Sequence, residues 1–227
     1  GVRVKDRVVS GEVVINNMDM VNAYKTILRK QKQPKKLLDQ PKSSSALIFY
    51  WGIKKVFPEL DLHNILFSDD YKTEFEHIFR KGSIYQDPTV YINITSVYKG
   101  DDAPTGCMNW FTMINVPNNQ GQDWNKLIAE ARKNIISKVN RILKTDLEPL
   151  IEVEEILEPR SIESKTSSAH GALYGNSSNN RFAAFLRHAN YSSDIKNLYF
   201  CGGSVHPGGG IPLSLLSAKI MTEMVGS

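Results

Sequence analysis

Apolar and polar positions follow two periods along the chain, and the two periods sort it into elements. Alternating, β-branched and aromatic runs recur at 46–53, 63–67, 90–94, 110–116 and 151–157, each reading as a strand. Shorter runs open the chain around Val2-Arg3-Val4, Arg7-Val8-Val9 and Val13-Val14-Ile15, with Gly11 and Asn16-Asn17 as turn punctuation. A helical period puts Tyr71, Phe75, Ile78 and Phe79 on one face. It does the same for Trp124, Leu127, Ile128, Ala131, Ile135, Val139 and Ile142, behind Asp123 as N-cap. Several strands per helix, without strict alternation, predict an α+β fold: a mixed or mostly antiparallel sheet with helices on one face. No fixed-period repeat is present, which argues against solenoids and propellers.

Length and charge narrow the partners. The chain's 227 residues allow one large domain or one and a half ordinary ones. Its 28 basic against 24 acidic residues leave +4, compatible with an anionic membrane surface and too small an excess to argue for nucleic acid. Cys107 and Cys201 are the only cysteines, so two free thiols are expected, with no disulfide framework and no cysteine-based metal site. No apolar run reaches the roughly 18 residues of a membrane span, and a cytoplasmic protein, peripheral at most at the inner membrane face, is expected. A strand pattern from the second residue suggests a piece excised from a longer protein. Residues 29–36 carry five basic groups and one proline, a loop that reads either as a solvated charge run or as a surface for anionic lipid. The long Ser-, Asn- and Gly-rich stretch from 158 to 194 reads as functional or covering.

The most informative segment runs from Asn197 to Val225. It reads as a buried strand, a turn with five glycines in nine residues, and a helix with Pro212 in its first turn. Glycines after a strand let backbone approach a ligand, and helix-start N–H groups favour negative charge, so the implied ligand is anionic or carbonyl-rich. The helix is apolar on more than one face, which predicts burial inside a larger body. The dinucleotide pattern G-x-G-x-x-G fails at Leu213, and the P-loop fails because Gly209 and Gly210 stand where Lys and Ser/Thr are required. The nucleophile elbow G-x-S-x-G matches through Gly202-Gly203-Ser204-Val205 and fails at His206. No acid-then-histidine order follows Ser204, which argues against a hydrolase triad.

These residues resemble a known family. Phe200-Cys201-Gly202-Gly203-Ser204-Val205-His206-Pro207-Gly208-Gly209-Gly210-Ile211-Pro212, with the following Leu215-Leu216-Ser217-Ala218-Lys219, is similar to the C-terminal signature of carotenoid desaturases of the bacterial phytoene dehydrogenase type. Val14-Ile15-Asn16-Asn17-Met18-Asp19, Asn64-Ile65-Leu66-Phe67-Ser68-Asp69-Asp70-Tyr71 and His170-Gly171-Ala172-Leu173-Tyr174-Gly175 fall in the same family's order, so the resemblance spans nearly the whole chain. It implies the C-terminal half of an FAD-dependent oxidoreductase of the amine-oxidase superfamily, without the N-terminal G-x-G-x-x-G strand–turn–helix that holds the ADP part of the flavin. Residues 1–28 are then expected in the FAD-binding domain, 29–165 in the substrate-binding domain, and 166–227 as a loop and strand–turn–helix returning to the FAD domain. By matching positions, Gly202, Gly203, Ser204, Gly210, Ile211 and Pro212 are the expected FAD-binding residues, in a site incomplete in this chain.

The implied reaction is desaturation of an apolar, phytoene-like polyene by hydride transfer to flavin, with the protein holding the polyene in register. The aromatic runs Phe49-Tyr50-Trp51 and Trp110-Phe111, with Met113, would divide about equally between ordinary core and substrate lining. No catalytic residue is assigned: His170, Tyr174 and His206 are the suggestive groups, and His206 reads best as a packing residue. No metal is expected. Isomerase or saturase chemistry on the same scaffold and a non-enzymatic lipid-binding module are the alternatives.

Overall fold

The computed structural model describes residues 1–177 and 186–226, so the 178–180 end of the Ser- and Asn-rich run lies outside the described residues. In chain order the elements are β1 (Val2–Val4), β2 (Arg7–Val9), β3 (Val14–Asn16), α1 (Met20–Lys25), α2 (Lys35–Leu38), β4 (Ser45–Ile53), β5 (His63–Leu66) and α3 (Tyr71–Glu76). They continue with β6 (Val90–Asn93), β7 (Met108–Val116), α4 (Trp124–Leu143), β8 (Ile151–Leu157), α5 (Pro159–Thr166), β9 (Leu198–Phe200) and α6 (Ile211–Val225). The chain divides into two compact units, one of Gly1–Ser43 with Ile162–Ser227 and one of Ser44–Ser161. These divisions differ from the expected boundaries at 28/29 and 165/166: residues 29–43 go with the chain ends.

The unit of Ser44–Ser161 is a five-stranded sheet in the order β5-β6-β7-β4-β8, antiparallel throughout. The α+β expectation holds, and so do all five longer strands. Alternation decides which face each side chain takes. Leu47, Phe49, Trp51 and Ile53 of β4 and Met108, Trp110 and Ile114 of β7 point into one core, joined by Trp124, Ala131, Ile135 and Val139 from α4. Asp123 caps α4 as expected, its carboxylate accepting from the Lys126 N–H. The opposite face carries Tyr50, Phe111 and Met113, none of them fully buried.

One helical face departs from expectation. Ile78 is buried, but Tyr71, Phe75 and Phe79 are exposed, because α3 turns Glu74 inward and continues into a π-helical turn at His77–Lys81. The Glu74 carboxylate accepts from the N–H and hydroxyl of Thr89 at 2.8 and 2.7 Å, which satisfies it in the interior.

A buried lysine ties α4 to the loop before β6. Lys138, with its side chain 3% exposed, pairs with Asp87 at 2.9 Å and donates to the Pro88 carbonyl at 2.7 Å. Burial alone would raise the Asp87 pKa, but the Lys138 hydrogen bond, the Asp69 N–H and the Lys138 and Arg141 charges hold it below 3.8. A depressed carboxylate contributes stability that is present above its unfolded pKa and lost as pH falls through the folded one. Asp87→Asn is therefore expected to cost about 3 kcal/mol at pH 7. The difference from wild type should shrink below pH 4 in denaturant titrations; a pH-independent difference would contradict the assignment.

The unit of the chain ends has a different plan. β3 and β9 pair in parallel, Val14 opposite Leu198 and Asn16 opposite Phe200. Met20, Tyr24, Leu198, Phe200 and Val205 form its small core. β1 and β2 make a separate antiparallel ribbon whose valines are exposed. On α6 only Ser217 and Met221 are buried among the described residues, while Ile211 is 79% and Leu215 67% exposed.

Candidate functional site

Parallel strands place their following loops on one side, and in this pair those loops carry polar groups. After β3 come Asn17 and Asp19; after β9 come Gly202, Gly203 and Ser204. The two loops are stitched together. Cys201 donates its N–H to the Asn16 carbonyl at 3.1 Å, Asn17 Nδ2 donates to the Cys201 carbonyl at 3.1 Å, and the Met20 N–H donates to Ser204 Oγ at 3.0 Å. A cavity of about 290 Å³ opens beside them, lined by Asn17, Asp19, Gly203 and Ser204 with Ile162, Thr166, Ser168, Ala172, Leu173 and Gly175.

Asp19 caps α1 by accepting from the Val21 and Asn22 N–H groups at 3.0 and 3.2 Å. Burial pushes its carboxyl pKa upward against the lowering effect of those bonds. Gly202 sits at φ +111, and a Cβ there would lie 2.8 Å from Asn17 Nδ2, so the position demands glycine twice over. Its N–H donates to Ser217 Oγ at 3.2 Å, and buried Asn190 donates to Ser217 Oγ at 2.9 Å, the His206 carbonyl at 3.0 Å and the Phe200 carbonyl at 3.2 Å. The end of β9 is thereby held to α6.

The glycine turn is closed from the other side by Arg187 and Tyr174. The buried Arg187 guanidinium donates to the carbonyls of Tyr174 at 3.0 Å, Gly203 at 2.9 Å and Asn176 at 2.9 Å. Gly209 lies so close to Tyr174 that a Cβ would meet its Cα at 2.8 Å. Among the described residues, neither the Gly203 nor the Ser204 N–H meets an acceptor.

Of the six residues expected to bind a cofactor, Gly203 and Ser204 line this cavity, and Gly202 shapes the turn behind them. Gly210, Ile211 and Pro212 stand at the start of α6 and do not line it: Gly210 precedes the helix with open space beyond its Cα, and Pro212 occupies an early helical position. His170, Tyr174 and His206 do not line it either. Arg187 and Asn190 escape sequence reasoning, because single polar residues in a polar stretch carry no period that would betray them, and Ser217 stands in the quoted signature with nothing local to show that its hydroxyl bonds Gly202 and Asn190. Asp19, by contrast, directly precedes Met20-Val21-Asn22-Ala23, an N-cap signal.

A second cavity, of about 360 Å³, lies in the same unit against Tyr24, His188, Tyr191 and Asp194, with Lys32, Gln33 and Pro34 from the basic stretch and Leu37 just after it. His188 Nδ1 lies 2.6 Å from the Ala189 carbonyl and so carries the proton, which leaves Nε2 to accept from the Tyr24 hydroxyl at 3.0 Å. Burial lowers the His188 pKa and favours the neutral ring. The basic stretch is not loop throughout, since α2 begins at Lys35. Among the described residues no group of three or more His, Cys, Asp or Glu is placed to hold a metal ion, and no helix is long and apolar enough to cross a membrane.

The fold has a solved counterpart: an oxidoreductase from Methanosarcina mazei superposes with a TM-score of 0.54 at 12% identity, over 96% of this chain and 44% of that one. No family model matches the chain. Among curated relatives, a 1-hydroxycarotenoid 3,4-desaturase of Flavobacterium sp. (strain P99-3) is 60% identical over 94% of the chain and 44% of its own length. A phytoene desaturase of Fusarium fujikuroi is 32% identical over 94% of the chain and 41% of its length. A 4,4'-diapolycopene oxygenase of Methylomonas sp is 30% identical over 96% and 44%. The chain is similar in sequence to these carotenoid desaturases, and it spans less than half their length.

Proposed function

We propose that this chain supplies the substrate-facing sheet and part of the flavin-facing loop region of an FAD-dependent carotenoid desaturase acting on an apolar polyene. The observation that carries the reading is the 60% identity to a 1-hydroxycarotenoid 3,4-desaturase across 94% of the chain. The weaker 30% identity to an oxygenase makes oxygen insertion the second reading.

The residues present fit a flavin nucleotide. Gly203 and Ser204 present two N–H groups without acceptors among the described residues, and Gly210 leaves the start of α6 open. In this reading Gly203 and Ser204, with Gly210 and Ile211 at the helix start, hold FAD by backbone donation, while Gly202, whose N–H is taken by Ser217, shapes the turn and Pro212, which has no N–H, fixes the first turn of the helix. When bound, FAD supplies the acceptor for hydride from the polyene as a proton leaves the adjacent carbon. The unit of the chain ends faces the cofactor, and the sheet unit faces the substrate.

The polyene surface is the sheet face opposite α4. There Tyr50, Phe111, Tyr91 and His63 form a row of rings across four strands, with centroids 5.5, 6.2 and 6.0 Å apart. Such a row offers an extended apolar track to an extended apolar ligand and keeps water from it. Exposed Arg29, Lys30, Lys32, Lys35 and Lys36 provide contact with an anionic membrane in which a polyene dissolves.

Titrating FAD into the protein of the full reading frame is expected to quench flavin fluorescence saturably; a folded protein that leaves the fluorescence unchanged would overturn the flavin reading. Phe111→Asp is expected to weaken polyene binding about tenfold or more, the scale of burying one aromatic ring against the ligand, with the FAD dissociation constant unchanged. Equal polyene binding by this variant would remove the sheet face from the proposal.

A further inference from the structure

Resting on the flavin reading above, we infer that Arg187 is a positioning residue for the cofactor: by holding the Gly203 carbonyl, its guanidinium turns the Ser204 N–H toward the bound flavin nucleotide. A trans peptide carries its C=O and N–H on opposite sides, so fixing one fixes the other. The Gly203 oxygen takes Arg187 Nη1 at 2.9 Å, which directs the N–H of the same peptide, that of Ser204, away from the arginine. Gly203 and Ser204 both line the cavity of about 290 Å³, and the Ser204 N–H has no acceptor among the described residues.

Glycine at 203 leaves this peptide free to rotate, and a freely rotating N–H is a poor donor. The guanidinium removes that freedom from a fixed base. Its other bonds reach the Tyr174 and Asn176 carbonyls at 3.0 and 2.9 Å, and Gly208 allows it in, since a Cβ there would stand 3.3 Å from Nε. The planar fork spans these carbonyls at once, and a lysine ammonium cannot reproduce it. A cation behind the peptide also polarises the N–H toward negative charge on the ligand.

The test compares wild type, Arg187→Met and Arg187→Lys in the full reading frame by FAD dissociation constant and by the reduction potential of the bound flavin at saturating FAD. For Arg187→Met the dissociation constant should rise about tenfold, the scale of one charge-assisted hydrogen bond, and the potential should become more negative. A weakened affinity with an unchanged potential and a lower melting temperature would reduce Arg187 to a structural role and overturn the inference, as would a wild-type affinity. Should Arg187→Met fail to fold, Arg187→Lys decides, because it keeps the charge and loses the fork; a wild-type affinity for it overturns the inference. Failure of wild type itself to bind FAD defeats the flavin reading and this inference with it, whereas equal binding by wild type and variant defeats the inference alone.

Discussion

Trp51→Ala is expected to lower the unfolding free energy of the sheet unit by about 4 kcal/mol, measured by denaturant titration. The indole is 2% exposed and stacks on Phe49 with ring centroids 5.3 Å apart. Truncating it leaves a cavity in the core between the sheet and α4, which neighbours held by cross-strand pairing cannot close. A second loss adds to the first. Trp51 Nε1 donates to Glu154 at 2.6 Å, and the same carboxylate oxygen accepts from Arg132 Nε at 2.7 Å, with Arg132 also paired to Glu148. Trp51→Phe separates the two contributions, keeping most of the ring volume and removing the donor; it should cost about 1–2 kcal/mol. A loss below about 2 kcal/mol for Trp51→Ala would mean that the core collapses around the gap.

Gly209→Ala is expected to destabilise the unit of the chain ends by about 3 kcal/mol and to weaken FAD binding in the full reading frame. Its Cβ would stand 2.6 to 2.8 Å from three Tyr174 atoms, one of them backbone, so either the glycine turn or the 174–176 segment must move. Both segments are fastened to Arg187, and movement of either disturbs the carbonyls it gathers. Gly210→Ala is the control. It meets no atom within 4 Å and carries only the strain of φ +94, so it should cost about 1–2 kcal/mol. Hydrogen exchange at 200–210 should accelerate in Gly209→Ala; protection and stability equal to wild type would rule out the close packing at Tyr174.

The long strands were legible because alternation is strict where one face is buried and the other is not. Phe49 and Trp51 entering the core while Tyr50 turns away is that alternation, and Trp110 against Phe111 repeats it one strand over. The exposure of Tyr71, Phe75 and Phe79 was hidden, because helical period cannot reveal that Glu74 finds Thr89 and turns inward. The glycine turn was visible as a composition, but its fastening was not. Arg187, Asn190 and Ser217 act on carbonyls and hydroxyls brought near only by the fold, so their roles depend on distances that no local pattern encodes. The parallel pairing of β3 with β9 was similarly out of reach, since neither three-residue strand specifies its partner.

That pairing sets an order of events during synthesis. Asn17 and Cys201, which bond across the β3–β9 pair, are 184 residues apart in sequence. At ribosomal rates the earlier strand waits about 10–40 s for its mate. Over that interval the Ser44–Ser161 insert can fold alone, since it is a compact unit whose first and last strands pair, Ile48 opposite Leu157. Completion of the insert gathers the chain's flanks and shortens the loop that β9 must close. A ribosome paused before codon 198 should therefore hold a protease-resistant sheet followed by a cleavable tail, with β3 still lacking its mate.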